Sequence, residues 1–147
     1  MFKHILLATD GSHLSQKAVH SAIAMALAFK ADLLAVKVIP HYIQTYFEGS
    51  LAINDVDVKQ IETEWAASAE KVLKQVAEQA KAKGLSITTQ VVKSDDIAQG
   101  LIDTADKHAS DLIVMASHGR KGIKRLLLGS ETISVLTHAK LPVLVLR

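Results

Sequence analysis

Cysteine is absent from this chain of 147 residues. Disulfides, thiolate zinc sites, iron–sulfur clusters and cysteine nucleophiles are therefore excluded. Proline is scarce, with two residues, and no low-complexity segment, repeat or linker divides the chain. A chain of this length can bury a sizeable core without cross-links, so we expect one domain over residues 1–147.

The chain also lacks an excess of one charge and a long hydrophobic run. It has 17 Lys and Arg residues against 15 Asp and Glu residues, a formal net charge of +2. Binding to nucleic acid or to a membrane surface needs a concentrated basic face, so we expect neither. No apolar run approaches the length of a membrane span, and the amino terminus shows no secretory signal. We therefore expect a cytoplasmic protein.

Short apolar runs alternate with longer segments of helical period. The runs that predict strands are Ile5–Ala8, Leu33–Val38, Ile87–Val92, Leu112–Ala116 and Val143–Leu146. Four are almost wholly apolar, as expected for parallel strands covered on both faces, whereas the more polar Ile87–Val92 suggests an edge. This order predicts an α/β fold with a single open, doubly wound, mainly parallel five-stranded sheet and helices on both faces.

Apolar stripes at spacings of three and four residues predict the four helices. The first contains Ala18, Val19, Ala22, Ile23, Ala26 and Leu27; the second Ile61, Trp65, Val72 and Val76; the third Ile97, Leu101, Ile102 and Ala105; the fourth runs from Ser130 to Ala139. Gly84 is a predicted stop for the second helix, and Ser94, Asp95 and Asp96 are candidate caps for the third.

The segment from Pro40 to Asp55 is long for a connection between a strand and a helix, and it contains Tyr42, Tyr46 and Phe47. Loops of this length are usually functional or mobile. The aromatic side chains either shield a ligand or partner surface or pack against the loop's own helix.

Ligands of open α/β sheets bind outside the carboxyl ends of the strands. The fourth predicted strand leads into a glycine-containing loop with Arg120, Lys121, Lys124 and Arg125, and Gly129-Ser130 then opens a helix. Glycine lets backbone N–H groups approach a phosphate, and a helix start offers N–H groups at its positive end. The pattern indicates either a phosphate site or a surface loop followed by an ordinary serine cap.

This stretch resembles the ATP-binding motif of the universal stress protein family, which reads glycine, two residues, glycine, nine residues, then glycine with serine or threonine. Gly119 and Gly129-Ser130 match it, whereas Ala116 replaces the first glycine. Alanine costs about 1 kcal/mol there if the position needs a positive φ, and nothing if φ is negative. Its methyl group is also expected to crowd the ribose or phosphate if φ is positive.

The resemblance covers the whole chain, since Phe2–Ser12 looks like the opening strand and turn of the family and Pro142–Leu146 like its closing strand. A second departure lies after the third strand, where a family glycine is replaced within Lys93–Asp96. The resemblance implies a Rossmann-like fold, similar to that of adenine nucleotide α-hydrolases. It also implies a homodimer that pairs through the carboxyl-terminal strand, which an exposed strand edge independently favours.

The resemblance further implies which residues bind the nucleotide. Asp10 is expected to contact the ribose hydroxyls, the backbone of Val38 the adenine edge, and Ala116 the ribose. Gly119, Gly129, Ser130 and the Glu131 amide are expected to hold phosphates. The same site includes the neighbouring residues Ala8, Thr9, Met115, Arg120 and Thr132. The expected ligand is ATP or another adenine nucleotide, with Mg²⁺ bound through the phosphates.

The site residue Asp10 and the neighbouring loop residue His118 each have a structural alternative. Asp10 follows a strand end, where a carboxylate accepts ribose hydroxyls in other doubly wound nucleotide sites, but it could also cap the first helix or hold the Gly11 turn. His118 could donate to a phosphate, orient a water or be a solvated loop residue. The other histidines show no metal-ligand spacing.

The competing functions differ in chemistry. The Walker pattern and G-x-G-x-x-G after the first strand are both absent, so a P-loop NTPase and a conventional dinucleotide site are not expected. No nucleophile, base and orienting group can be assigned together, so we expect nucleotide sensing rather than catalysis. The alternatives are a slow ATP hydrolase or self-phosphorylating enzyme, and a dimeric interaction module that ignores nucleotide. The regulatory partner is not identified by the sequence.

Overall fold

A computed structural model describes residues 1–41, 55–118 and 128–147. Strands and helices alternate along the chain. In order they are β1 (His4–Ala8), α1 (Ser15–Phe29), β2 (Asp32–Ile39), α2 (Asp55–Ala82), β3 (Thr88–Lys93), α3 (Ile97–Lys107), β4 (Leu112–Ala116), α4 (Ser130–His138) and β5 (Val143–Leu146). The predicted βα alternation is therefore confirmed, with element ends that differ by one residue in several places.

The five strands form one sheet in the order β3-β2-β1-β4-β5, and every neighbouring pair is parallel. The register is illustrated by Leu6, which lies opposite Leu34 on one side and Ile113 on the other. The predicted edge position of the more polar third strand is confirmed, and β5 forms the other edge. The strand order reverses between β1 and β4, which leaves a crevice at their carboxyl ends.

Alternation along the strands divides the core into two layers, one on each face of the sheet. Ile5 and Leu7 of β1 belong to a buried cluster with residues of α1 and α2, whereas Leu6 belongs to a cluster with residues of α3 and α4. Because successive side chains of a strand point to opposite faces, these apolar strands bury both faces. The doubly wound α/β fold is confirmed.

The stripe predicted for α2 is partly wrong. The side chains of α2 that are buried against the sheet are Ala69, Leu73, Val76 and Ala80, whereas Trp65 is 36% exposed. The predicted stripe followed the largest apolar residues, but small alanines allow the helix to lie close to the sheet. Their spacing of three or four residues is the period that a helix surface requires.

Both predicted helix boundaries are confirmed. Asp96 caps α3, because its carboxylate accepts a hydrogen bond from the Gln99 N–H at 2.9 Å. Gly84 follows α2 with φ at +81°, the left-handed conformation that ends many helices. Among the helices of the described residues, none is long and apolar enough to cross a membrane.

Candidate functional site

A cavity of about 470 Å³ lies at the carboxyl ends of β1 and β4, where the strand order reverses. It contains side chains or backbone from strand ends, α3 and the start of α4. The lining residues are Ala8, Thr9, Asp10, Ser15, Val36, Val38, Ile97, Leu101, Met115, Ala116, His118, Gly129, Ser130, Glu131 and Thr132. Its volume lies within the range of about 300–1,000 Å³ that is usual for small-molecule sites.

The turn after β1 forms the polar edge of the cavity. The Thr9 hydroxyl accepts the Gly11 N–H at 3.2 Å and donates to the Ser15 hydroxyl at 3.1 Å. The Asp10 carboxylate accepts the Ser12 N–H at 2.8 Å. Short polar side chains commonly hold their own backbone two residues later in this way. Asp10 therefore has the turn-holding role that was predicted as its alternative. This role does not prevent ribose contact, because a carboxylate accepts more than one hydrogen bond.

Gly11 is required in this turn for two reasons. Its φ of +80° is a conformation that residues with a side chain rarely adopt. A methyl group added there would also lie 2.7 Å from Cγ2 of Val72 on α2. The close approach of α2 therefore fixes the turn from the side of the sheet that carries α1 and α2.

The start of α4 is docked on the end of β4 by short hydrogen bonds. The Gly129 N–H donates to the Ser117 carbonyl at 2.8 Å, and the buried Thr132 hydroxyl lies 3.1 Å from the same oxygen and 3.2 Å from the Ala116 carbonyl. The N-cap residue Gly129 has no side chain that could accept the first N–H groups of the helix. A helix start in this state offers N–H donors and positive potential to an anion in the cavity.

The opposite wall of the cavity is apolar. Val36 and Val38 of β2, Met115 of β4, and Ile97 and Leu101 of α3 line it. Gly100 brings α3 close, because a methyl group at this position would lie 2.9 Å from Cβ of Ser94 and 3.5 Å from Cγ1 of Val38. The cavity thus joins an apolar wall to a polar end, which suits a ligand with one apolar and one polar part.

All but two of the predicted site residues line this one cavity. The exceptions are Gly119 and Arg120, which lie outside the described residues, as do Lys121, Lys124 and Arg125. The predictions on Tyr42, Tyr46 and Phe47 also fall outside them. The predicted set of nucleotide-binding residues omitted Ser15, Val36, Ile97, Leu101 and His118, which line the cavity as well, although His118 was named as an alternative phosphate donor. The apolar stripe of α3 contained Ile97 and Leu101, but its orientation toward the cavity depends on how α3 packs.

The replacement of glycine by alanine at position 116 causes no backbone strain. In the described part of the chain, the residues other than glycine with a positive φ are Lys30 and Ala109, so Ala116 has an ordinary strand conformation. Ala116 packs against the core cluster of α1 and α2, whereas its neighbour Met115 belongs to the opposite face. The methyl group therefore lies mainly on the side of the sheet away from α3.

One hydroxyl–imidazole pair lies beside the cavity. The hydroxyl of Ser117 lies 3.0 Å from Nδ1 of His118, a hydroxyl–imidazole pair. Among the described residues, no carboxylate contacts the His118 ring, and no group of three or more His, Asp or Glu side chains is placed to hold a metal ion.

The comparisons with known proteins give one family. The model of the universal stress protein family matches residues 1–147. A universal stress protein of Methanocaldococcus jannaschii is 32% identical over 149 aligned positions, which cover 100% of this chain and 83% of that protein.

Two solved structures with the same fold contain adenine nucleotides. One is a universal stress protein in complex with cAMP, with a TM-score of 0.73, 29% identity and coverage of 99% of this chain and 97% of that one. The other is the universal stress protein from Archaeoglobus fulgidus in complex with dAMP, with a TM-score of 0.68. It is 18% identical, with coverage of 99% of this chain and 98% of that one, so it supports the shared fold alone.

Proposed function

Because the chain belongs to the universal stress protein family, we propose that it binds an adenine nucleotide at the ends of β1 and β4. In this proposal it acts as a nucleotide-dependent regulatory module of the stress response. The observation that carries the proposal is the cavity, in which an apolar wall, a carboxylate and a helix start lie together at the strand-order reversal. The relative with bound cAMP, at 29% identity, supports the same ligand class.

The apolar wall suits the adenine base. Val36, Val38 and Met115 present aliphatic surface from the sheet, and Ile97 and Leu101 present it from α3. A planar base placed between them removes its faces from water, and the backbone of Val38, next to Ile39 at the strand end, is available to read the base edge. We therefore assign this wall to the base.

The turn after β1 suits the ribose. Asp10 lines the cavity beside the strand ends, and its carboxylate is an acceptor of the kind that ribose hydroxyls need. One of its oxygens accepts the Ser12 N–H at 2.8 Å, which holds the carboxylate in place. We assign both Asp10 and Ala116 to the ribose.

The start of α4 suits the phosphates. The N–H groups of Ser130, Glu131 and Thr132 have no acceptor within the helix, and a phosphate oxygen can accept them. Gly119 and Arg120 belong to the same proposed phosphate site, although they lie outside the described residues. Two carboxylates, Asp10 and Glu131, line the described cavity, so ATP is expected to bind with Mg²⁺, which lowers its negative charge.

Slow self-phosphorylation or hydrolysis is the second candidate function, and the Ser117–His118 pair at 3.0 Å is the observation that favours it. A hydroxyl needs a base and usually a third group that orients the base. In the described part of the chain the histidine has no carboxylate partner, so we expect ATP turnover well below about 1 per second, the low end of the usual enzyme range.

Mass spectrometry of the small molecules released from freshly purified, denatured protein tests the proposed ligand class directly. Calorimetric titration with ATP, ADP, AMP and cAMP, with and without Mg²⁺, then ranks the nucleotides. The proposal would be contradicted if the purified protein contained no nucleotide and gave no binding heat with any of the four nucleotides at millimolar concentration. That result would favour the nucleotide-independent interaction module.

Gly129→Val tests the phosphate assignment. A Cβ atom at position 129 would already lie 3.3 Å from the Ser117 carbonyl, so a branched side chain must occupy the space before the helix start. We expect ATP affinity to fall about 100-fold, because phosphate hydrogen bonds contribute about 1.5–3 kcal/mol each. Ser130→Ala, which keeps the amide and the helix end, should cost less than about tenfold. A folded Gly129→Val protein with unchanged affinity would show that the phosphates bind elsewhere.

A further inference from the structure

Lys37 lies beside the candidate site but does not line it. It sits in β2 between Val36 and Val38, both of which line the cavity. Since side chains alternate along a strand, Lys37 points to the opposite face, the one that its neighbour Ala35 shares with α1 and α2. From there its ammonium group donates to the Asp10 carbonyl at 2.8 Å. Lys37 therefore contacts Asp10 from the face of the sheet that carries α1 and α2.

The peptide group between Asp10 and Gly11 is held at both of its polar atoms. Its carbonyl accepts the Lys37 ammonium at 2.8 Å, and its N–H donates to the Thr9 hydroxyl at 3.2 Å. The glycine that follows has φ at +80° and little conformational preference of its own. The orientation of this peptide plane therefore depends on the two side chains that contact it, together with the packing of α2 against Gly11.

The plane is linked to the Asp10 carboxylate through the next residues of the turn, because the Ser12 N–H holds that carboxylate. Asp10 lines the cavity, and its carboxylate accepts the Ser12 N–H at 2.8 Å on the far side of the same turn. A hydrogen bond from a charged group to a carbonyl is stronger than one between neutral groups. Loss of the ammonium would remove the stronger of the two hydrogen bonds that orient the plane, and the Ser12 N–H that holds the carboxylate would then be less firmly placed.

We infer that Lys37 is a positioning residue that holds Asp10 against the ribose hydroxyls of the bound adenine nucleotide, an inference that rests on the proposed function. Lys37 contacts no part of the ligand in this account. Its effect on affinity is therefore transmitted through Asp10 and must vanish when the ribose hydroxyls or the Asp10 carboxylate are removed.

The test is a calorimetric cycle on full-length protein with ATP and with 2′,3′-dideoxy-ATP, which lacks both ribose hydroxyls. Lys37→Met should weaken ATP binding about tenfold, the factor that corresponds to one hydrogen-bonded contact, and should change the affinity for the dideoxy nucleotide less than about twofold. In an Asp10→Asn background, Lys37→Met should add less than about twofold for ATP.

Lys17→Met is the matched control, because the Lys17 ammonium also donates to a backbone carbonyl, that of Arg147, at 2.9 Å. Lys17 does not line the cavity, so both nucleotides should bind this variant as they bind the wild type. Thermal melting of every variant without nucleotide accompanies the titrations. If Lys37→Met does not fold, Lys37→Gln takes its place, and failure of both to fold would make Lys37 purely structural and overturn the inference.

The outcomes separate the inference from the function on which it rests. If Lys37→Met lowers the affinity for both nucleotides equally, or for neither, the positioning role is overturned while the proposal of nucleotide binding stands. A wild-type protein that binds neither nucleotide would overturn the proposed function, and this inference with it. A loss confined to ATP and abolished by Asp10→Asn supports the positioning role.

Discussion

Gly11 and Gly84 have nearly the same backbone conformation in very different surroundings. Their φ angles are +80° and +81°, but a methyl group at Gly11 would lie 2.7 Å from Val72, whereas nothing lies within 4 Å of one at Gly84. Gly84→Ala should therefore cost about 1 kcal/mol, the backbone penalty alone. Gly11→Ala should cost clearly more, because α2 must also shift. Chemical denaturation of both variants measures the difference, and equal losses would show that Val72 yields without cost.

Ala116 is the residue that departs from the family motif, and its strand conformation makes the departure harmless to the backbone. Ala116→Gly should therefore tighten nucleotide binding by less than about threefold, since no strain is relieved. It should lower stability by about 0.5–1 kcal/mol, the usual cost of glycine inside a strand. Calorimetry and denaturation measure the two effects, and a gain of tenfold or more in affinity would mean that the methyl group obstructs the ligand.

At the scale of the elements, α4 contains two threonines whose hydroxyls have different hydrogen-bond partners. The Thr132 hydroxyl is buried and lies within hydrogen-bonding distance of the carbonyls of Ala116 and Ser117 on β4, whereas the exposed Thr137 hydroxyl donates within its own helix to Ile133. Thr132→Val should destabilise the protein by about 1–2 kcal/mol and weaken nucleotide binding, because the helix start loses its anchor.

Thr137→Val is the control in the same helix, and we expect a change within about 0.5 kcal/mol and no effect on nucleotide affinity. Denaturant unfolding gives the stabilities and calorimetry the affinities. Equal effects of the two substitutions would mean that the contact between α4 and β4 does not position the helix start.

For the whole molecule, we predict a homodimer that pairs through β5. This strand forms one edge of the sheet and is only half-buried, and α4 nearby exposes Ile133 and Leu136. An exposed apolar edge strand readily pairs with another strand. Light scattering at micromolar concentration should give twice the mass of the chain, and a monomer mass would contradict the prediction.

Val145→Pro tests which edge is involved. The carbonyls of Pro142 and Leu146 accept hydrogen bonds from Ile113 and Ser117, so the intervening odd-numbered residues of β5 direct their N–H and carbonyl groups away from β4. Proline at position 145 removes an outward N–H and should give a folded monomer. A variant that melts cooperatively and remains dimeric would place the interface elsewhere.

Several features of the structure follow from local sequence. Helical and strand periods, the cap at Asp96 and the stop at Gly84 depend on neighbours a few residues away, so the pattern alone predicted them, and the polar third strand was recognised as an edge for the same reason. The alternation of strands and helices then required a parallel sheet. Asp10, Gly129 and Ser130 were predicted to share one site because parallel strands end at one edge and because the sequence resembles the family motif.

The remaining features required distant parts of the chain to be brought together. The burial of Ala69 in place of Trp65 depends on how closely α2 approaches the sheet, and the harmless Ala116 depends on a φ angle that the residue type does not specify. The hydrogen bond from Lys37 to Asp10 joins residues 27 positions apart. Local propensity contains no information on such contacts, because packing and strand register set the distance between residues that are far apart in the sequence.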